Sequence, residues 1–130
     1  MPNKPIHLLL IDDDPAILRL ISAQLAAAGF EIMPAHDGNE GREIARRFLP
    51  DLILSDQNMP IMDGMEVIAR LKDEEITKNI PVILFTNEDF SVEAEKLLRE
   101  SGAADYIPKS TPIKEVVERI NKILKITPAS

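Results

Sequence analysis

Cysteine is absent from the 130 residues, which excludes a disulfide scaffold, a thiolate metal site and a catalytic thiol. Tryptophan is absent too, and one tyrosine with four phenylalanines leaves little surface for stacking nucleic-acid bases. Basic residues are outnumbered 22 to 15, so the formal charge of -7 lacks the basic footprint that a phosphate backbone requires. Direct recognition of DNA or RNA is not expected. No apolar run approaches the roughly 20 residues of a membrane-spanning helix. The start, Met1-Pro2-Asn3-Lys4-Pro5, lacks the apolar stretch of a secretory signal, so a soluble, cytoplasmic protein is expected. Linkers and low-complexity segments are missing as well. Residues 1–130 therefore read as one domain, with a core over about 6–125 and a frayed tail at 127–130.

What the chain does have is three consecutive carboxylates, Asp12, Asp13 and Asp14, directly after Leu8-Leu9-Leu10-Ile11. An aliphatic run without polar alternation reads as a strand buried on both faces. Anions at the mouth of such a strand repel one another and lose hydration unless positive charge sits among them, and a hard divalent cation is the usual solution. Asp14 has a simpler use, because Asp14-Pro15 suits an N-cap followed by proline in the first helical turn.

The same alternation continues along the chain. Expected strands are Ile6–Asp12, Phe30–Ala35, Leu52–Ser55 running into Asp56, Pro81–Phe85 ending at Thr86, and Asp105–Ile107. Expected helices are Pro15–Ala28, Gly38–Phe48 with Ile44 and Phe48 inward, Met65–Asp73, Val92–Ser101, and one capped by Thr111-Pro112 and reaching about Lys125. Five strands alternating with five helices imply an α/β fold, a doubly wound parallel sheet with helices on both faces. Pro108 cannot donate to a ladder, which makes the fifth strand an edge and suits the flavodoxin-like order 2-1-3-4-5. That order puts its ligand crevice at the carboxyl ends of strands one and three, where Asp12, Asp13 and Asp56 meet.

Three stretches carry a family resemblance: Leu9-Leu10-Ile11-Asp12-Asp13-Asp14-Pro15, Ser55-Asp56-Gln57-Asn58-Met59-Pro60-Ile61-Met62-Asp63-Gly64, and Gly102-Ala103-Ala104-Asp105-Tyr106-Ile107-Pro108-Lys109. In order and spacing the chain, from Ile6 to about Leu124, resembles the receiver domain of two-component response regulators. The resemblance implies that Asp56 accepts a phosphoryl group, forming an acyl phosphate. It implies Mg²⁺ as cofactor, held directly by Asp13, Asp56 and the backbone carbonyl of Asn58, with Asp12 holding a metal-bound water. Lys109 would pair with Asp56 and then with a phosphate oxygen, and the Thr86 hydroxyl would donate to the phosphoryl group. Thr86 and Tyr106 would form the switch, the ring following the hydroxyl inward and reshaping the face of the fourth helix, fifth strand and fifth helix. Implied partners are a histidine kinase or phosphotransfer protein as donor and a downstream protein target. Beyond self-phosphorylation and self-dephosphorylation at Asp56, no enzyme activity is implied. A monomer is expected before modification, with pairing of the switch faces open to the phosphorylated form.

Departures from the family pattern set further expectations. Ser110 stands where a proline commonly follows the lysine, and a cis bond before it would cost about 3–4 kcal/mol, so its geometry stays open. Asn87 stands where a small residue is usual, and phosphoryl transfer should be slower than in an Asn87→Ala variant; equal or faster transfer in the native chain would sink this. Asn58 and Glu88 resemble pairs found in members whose phosphorylation is short-lived. An alternative is a Mg²⁺-dependent phosphohydrolase with an aspartate nucleophile, but such enzymes tend to have a second carboxylate two residues later, and here that residue is Asn58. A scaffold that kept the fold and lost the chemistry fits less well, because the acidic set, the threonine and the lysine are all present.

Overall fold

Three aliphatic runs form the centre of a parallel sheet in a computed structural model that describes residues 4–86 and 91–125. They are β1 (His7–Ile11), β3 (Leu52–Asp56) and β4 (Val82–Thr86), flanked by β2 (Glu31–Ala35) and β5 (Asp105–Pro108) in the order β2-β1-β3-β4-β5. The helices α1 (Pro15–Ala27), α2 (Gly38–Phe48), α3 (Gly64–Lys72), α4 (Val92–Glu100) and α5 (Ile113–Leu124) complete an α/β doubly wound fold, as expected. The two edge strands are the ones that contain proline, Pro34 and Pro108.

Alternation along the strands divides the core in two. Leu8, Leu10, Leu52, Leu54, Ile83, Phe85 and Ile107 pack against α1 and α5 through Leu18, Leu25, Val116 and Ile120. Leu9, Ile11, Ile53 and Leu84 face α2, α3 and α4 through Ala45, Val67, Ile68, Leu71 and Leu98. This burial on both faces explains why the central strands lack polar alternation. Two glycines let α2 and α3 approach closely. A Cβ on Gly41 would sit 2.3 Å from Ile11 Cδ1, and one on Gly64 would sit 2.8 Å from the backbone oxygen of Asp56.

Boundaries differ from expectation by a residue or so, two details differ in kind, and one open question is answered. Phe48 is 63% exposed, because it ends α2 beside Leu49 and Met33 at the N-terminal rim of the sheet, while Gly38, Gly41 and Ala45 form the buried stripe. The N-cap of α5 is Pro112 with no side-chain cap bond, so Thr111 does not cap that helix. Among the described residues every peptide bond is trans, including Lys109–Ser110. Asp14 does cap α1, its Oδ1 accepting from the Ala16 N–H at 2.9 Å. The tail at 127–130 and the positions of Asn87 and Glu88 lie outside the described residues.

Ile61 has φ 70° and is 96% exposed, a β-branched residue in the left-handed region with no burial to compensate. Ile61→Gly is expected to raise stability by about 1 kcal/mol. The measurement is a urea melt, in which the midpoint rises at constant slope; an unchanged or lower midpoint would contradict the strain.

Candidate functional site

Asp12, Asp56 and Lys109 converge on one crevice at the carboxyl end of the sheet. The register pairs Leu10 with Leu54 and Ile11 with Ser55, so the next residues along, Asp12 and Asp56, come abreast. By alternation both side chains continue the face of Leu8, Leu10, Leu52 and Leu54, and Lys109 continues the face of Ile107. Ladder bonds extend past the strands and fix these positions. The Asp12 N–H donates to Ala35 O at 3.1 Å, the Gln57 N–H to Phe85 O at 2.8 Å, and the Lys109 N–H to Thr86 O at 2.7 Å.

The Lys109 ammonium bridges the two acids, with Nζ 3.1 Å from Asp12 Oδ2 and 3.1 Å from Asp56 Oδ2. Both carboxylates are almost fully buried, each 3% exposed. Backbone donors take their other oxygens, Asp14 N–H on Asp12 Oδ1 at 2.9 Å and Asn58 N–H on Asp56 Oδ1 at 3.1 Å. Burial pushes the Asp56 carboxyl above the usual carboxylate range, with Asp12 adding to the rise and the Asn58 and Lys109 bonds only partly offsetting it. Burial alone would lower the Lys109 ammonium, but its bonds to Asp12 and Asp56 outweigh that and raise it. One cation serving two anions explains why the lysine is held charged while Asp56 remains strained toward protonation.

Asp13 is exposed at the mouth, and one oxygen from each of Asp12, Asp13 and Asp56 lies within 4.8 Å of the others. Three carboxylates face one ammonium, an excess of two negative charges that a divalent cation matches. All the donors are hard oxygens, one side is open to water, and the set suits Mg²⁺ better than a soft or nitrogen-preferring metal. Asn58 folds back onto Asp56 through its N–H.

Thr86 ends β4 at 4% exposure, and its Oγ1 is a buried hydroxyl without a hydrogen-bond partner among the described residues. An unsatisfied buried hydroxyl costs about 1–3 kcal/mol and calls for a reason. Tyr106 pairs in register with Leu84, on the sheet face that packs against α3 and α4, and its ring joins the rim of that core. Its hydroxyl donates to Glu95 Oε1 at 3.0 Å.

Two supporting residues were not legible beforehand. Gln57 Oε1 accepts from the Met65 N–H at 2.9 Å and ties the start of α3 to the end of β3. Glu95 holds the Tyr106 hydroxyl. A polar loop residue and an acid on an exposed helix have no pattern that marks either one. Asp63 caps α3, its Oδ1 accepting from the Glu66 N–H at 2.9 Å.

Comparison with known proteins gives the same picture from another side. The family model described as response regulator receiver domain matches residues 8–121. Response regulator PleD of Caulobacter vibrioides is 43% identical over 111 residues, which are 85% of this chain and 24% of that protein. The DNA-binding dual master transcriptional regulator RpaA of Synechocystis is 38% identical over 121 residues, 93% of this chain and 50% of that protein. The chain thus spans half or less of these two relatives. Among solved structures, the chemotaxis protein CheY4 of Vibrio cholerae superposes with a TM-score of 0.85 at 28% identity, covering 92% of this chain and 99% of that one. A putative response regulator from Chloroflexus aurantiacus gives 0.87 at 31% identity, over 94% and 99% of the two chains. Among the described residues no helix is long and apolar enough to cross a membrane.

Proposed function

The chain belongs to the response regulator receiver domain family of two-component signalling, and from that membership we propose that it is a phosphorelay module whose acceptor is Asp56. The observation that carries this is a buried Asp56 carboxylate beside Asp12, under Lys109, with the exposed Asp13 completing an oxygen cluster. A carboxylate oxygen of Asp56 attacks the phosphorus of a phosphohistidine on a histidine kinase or phosphotransfer protein. The phosphorus–nitrogen bond breaks and the imidazole nitrogen keeps the electron pair. Lys109 then shifts from Asp56 to a phosphoryl oxygen, and the Thr86 hydroxyl, without a partner among the described residues, donates to another.

Asp13, Asp56 and the Asn58 carbonyl are the proposed direct ligands of Mg²⁺, with Asp12 bonding a water on it. When bound, the ion neutralises charge between the attacking carboxylate and the phosphoryl oxygens. Movement of Thr86 draws the Tyr106 ring inward and alters the face of α4, β5 and α5, which a downstream protein reads. The proposed unit is one cytoplasmic receiver domain, a monomer until phosphorylation permits pairing of the switch faces, without nucleic-acid binding of its own. An aspartate-dependent phosphohydrolase is disfavoured by Asn58, which supplies no second acid two residues after Asp56.

The test is intact mass after incubation with Mg²⁺ and a small acyl phosphate. One added phosphoryl group per chain, absent with chelator, is the expected result. Sustained turnover of generic phosphomonoesters would favour the hydrolase, and neither outcome would leave a binding scaffold.

A further inference from the structure

Among the described residues, Tyr106 joins Glu95 and Arg99 in a network that its own strand does not supply. Its hydroxyl donates to Glu95 Oε1 at 3.0 Å. Arg99 Nη2 donates to the same Glu95 oxygen at 3.0 Å and to the Tyr106 oxygen at 3.4 Å. Glu95 and Arg99 are one helical turn apart on α4, so both reach β5 from the same side. The phenol–carboxylate bond is charge-assisted, and the arginine fixes the rotamer of the acid that accepts it. Tyr106 is only half-buried, its ring lying on the rim of the core that contains Leu84 and Leu98. Two residues beyond Leu84, on the same face of the same strand, stands Thr86, its hydroxyl without a partner among the described residues.

From this we infer that Glu95, steadied by Arg99, is a latch that holds Tyr106 outward and sets the threshold for switching. The inference rests on the reading of Asp56 as acceptor and of Thr86 and Tyr106 as switch. An inward move of the ring must break the Tyr106–Glu95 bond, so the latch opposes the state that a phosphoryl group favours. By linkage, whatever weakens the latch tightens binding at the phosphoryl site. Glu95 is half-buried and Arg99 exposed, with 41% and 69% of their side chains accessible, and neither belongs to the core, so removing the latch leaves the core intact.

Tyr106 is the single tyrosine of a chain without tryptophan, so tyrosine fluorescence reports this side chain alone. The experiment titrates beryllium fluoride, a phosphoryl mimic, in the presence of Mg²⁺ into the parent and Glu95→Ala, reading affinity by calorimetry and Tyr106 by fluorescence. Glu95→Ala should bind roughly three- to tenfold more tightly, the scale of one charge-assisted surface bond. Its unliganded tyrosine signal should lie nearer the liganded value. In a Tyr106→Phe background, where the latch has no hydroxyl to hold, Glu95→Ala should leave affinity unchanged. Equal affinity and equal signal in Glu95→Ala and parent, with both taking up a phosphoryl group at Asp56, would overturn the latch alone. A gain in affinity that persists in the Tyr106→Phe background would also overturn it, because Glu95 would then act without the hydroxyl. Failure of both proteins to take up phosphate or bind the mimic would overturn the acceptor reading and the latch with it.

Discussion

Asp56→Asn is expected to take up no phosphoryl group and yet to melt at a higher temperature than the parent in chelator. The first half follows because the amide has no anionic oxygen with which to attack phosphorus. The second half follows from the burial that lifts the Asp56 carboxyl above its ordinary range. A native-state carboxyl that is raised relative to the unfolded chain destabilises the fold at every pH above that raised value. The penalty fades as pH falls through it, because the native state then binds the proton. The asparagine variant therefore has its largest advantage near neutral pH and loses it on acidification. Each 1 kcal/mol of relief corresponds to about 4 °C for a domain of this size. Lys109 keeps a partner in Asp12, so no buried ammonium is orphaned. Millimolar Mg²⁺ should reverse the order, since the ion binds the parent's cluster more tightly and stabilises by mass action. Thermal melts at neutral and acidic pH, with and without Mg²⁺, check all of this. A variant less stable than the parent in chelator would contradict the assigned cause.

Lys109→Ala should act in the opposite sense and more strongly. Removing the Lys109 ammonium leaves Asp12 and Asp56 buried side by side, each 3% exposed, with only backbone donors for company among the described residues. Breaking a buried pair from one side costs about 3–5 kcal/mol. In chelator that amounts to a fall of about 10–20 °C in melting temperature. Mg²⁺ should recover most of it and should bind about tenfold or more tightly than in the parent, because the ammonium no longer competes for Asp12 and Asp56. Melting curves across a Mg²⁺ titration give both quantities. Unchanged stability in chelator, or weaker Mg²⁺ binding than the parent, would mean that Lys109 is not the counter-ion of the crevice.

Much of this was legible in the sequence because burial on two faces leaves a simple signature. Leu8 to Ile11, Leu52 to Leu54 and Val82 to Phe85 have no polar interruption, so their identity as central strands needed no tertiary information. Pro108 marked one edge, and Pro34 on β2 marks the other by the same rule. The convergence of Asp12, Asp13 and Asp56 follows from strand order, since residues at the ends of adjacent parallel strands share an edge. What the pattern did not carry was geometry between side chains of different elements. Nothing local distinguishes Glu95, which holds Tyr106, from the other acids of α4, or Gln57, which pins α3, from any polar loop residue. Phe48 read as inward because its spacing fits the helical period, but α2 ends there, at the rim of the sheet, and the ring stays exposed. Lys109 reaches Asp12 as well as Asp56, at 3.1 Å each, and nothing in the pattern pointed to that second contact.

The central claim is that Asp56 carries the phosphoryl group. An aspartyl phosphate is reduced by borohydride to homoserine, so the acceptor can be trapped and its position read by peptide mass mapping. After treatment with Mg²⁺ and acyl phosphate, homoserine is expected at position 56 and nowhere else. Homoserine at Asp12 or Asp13, or an untouched Asp56 in a chain that has gained a phosphoryl group, would contradict it.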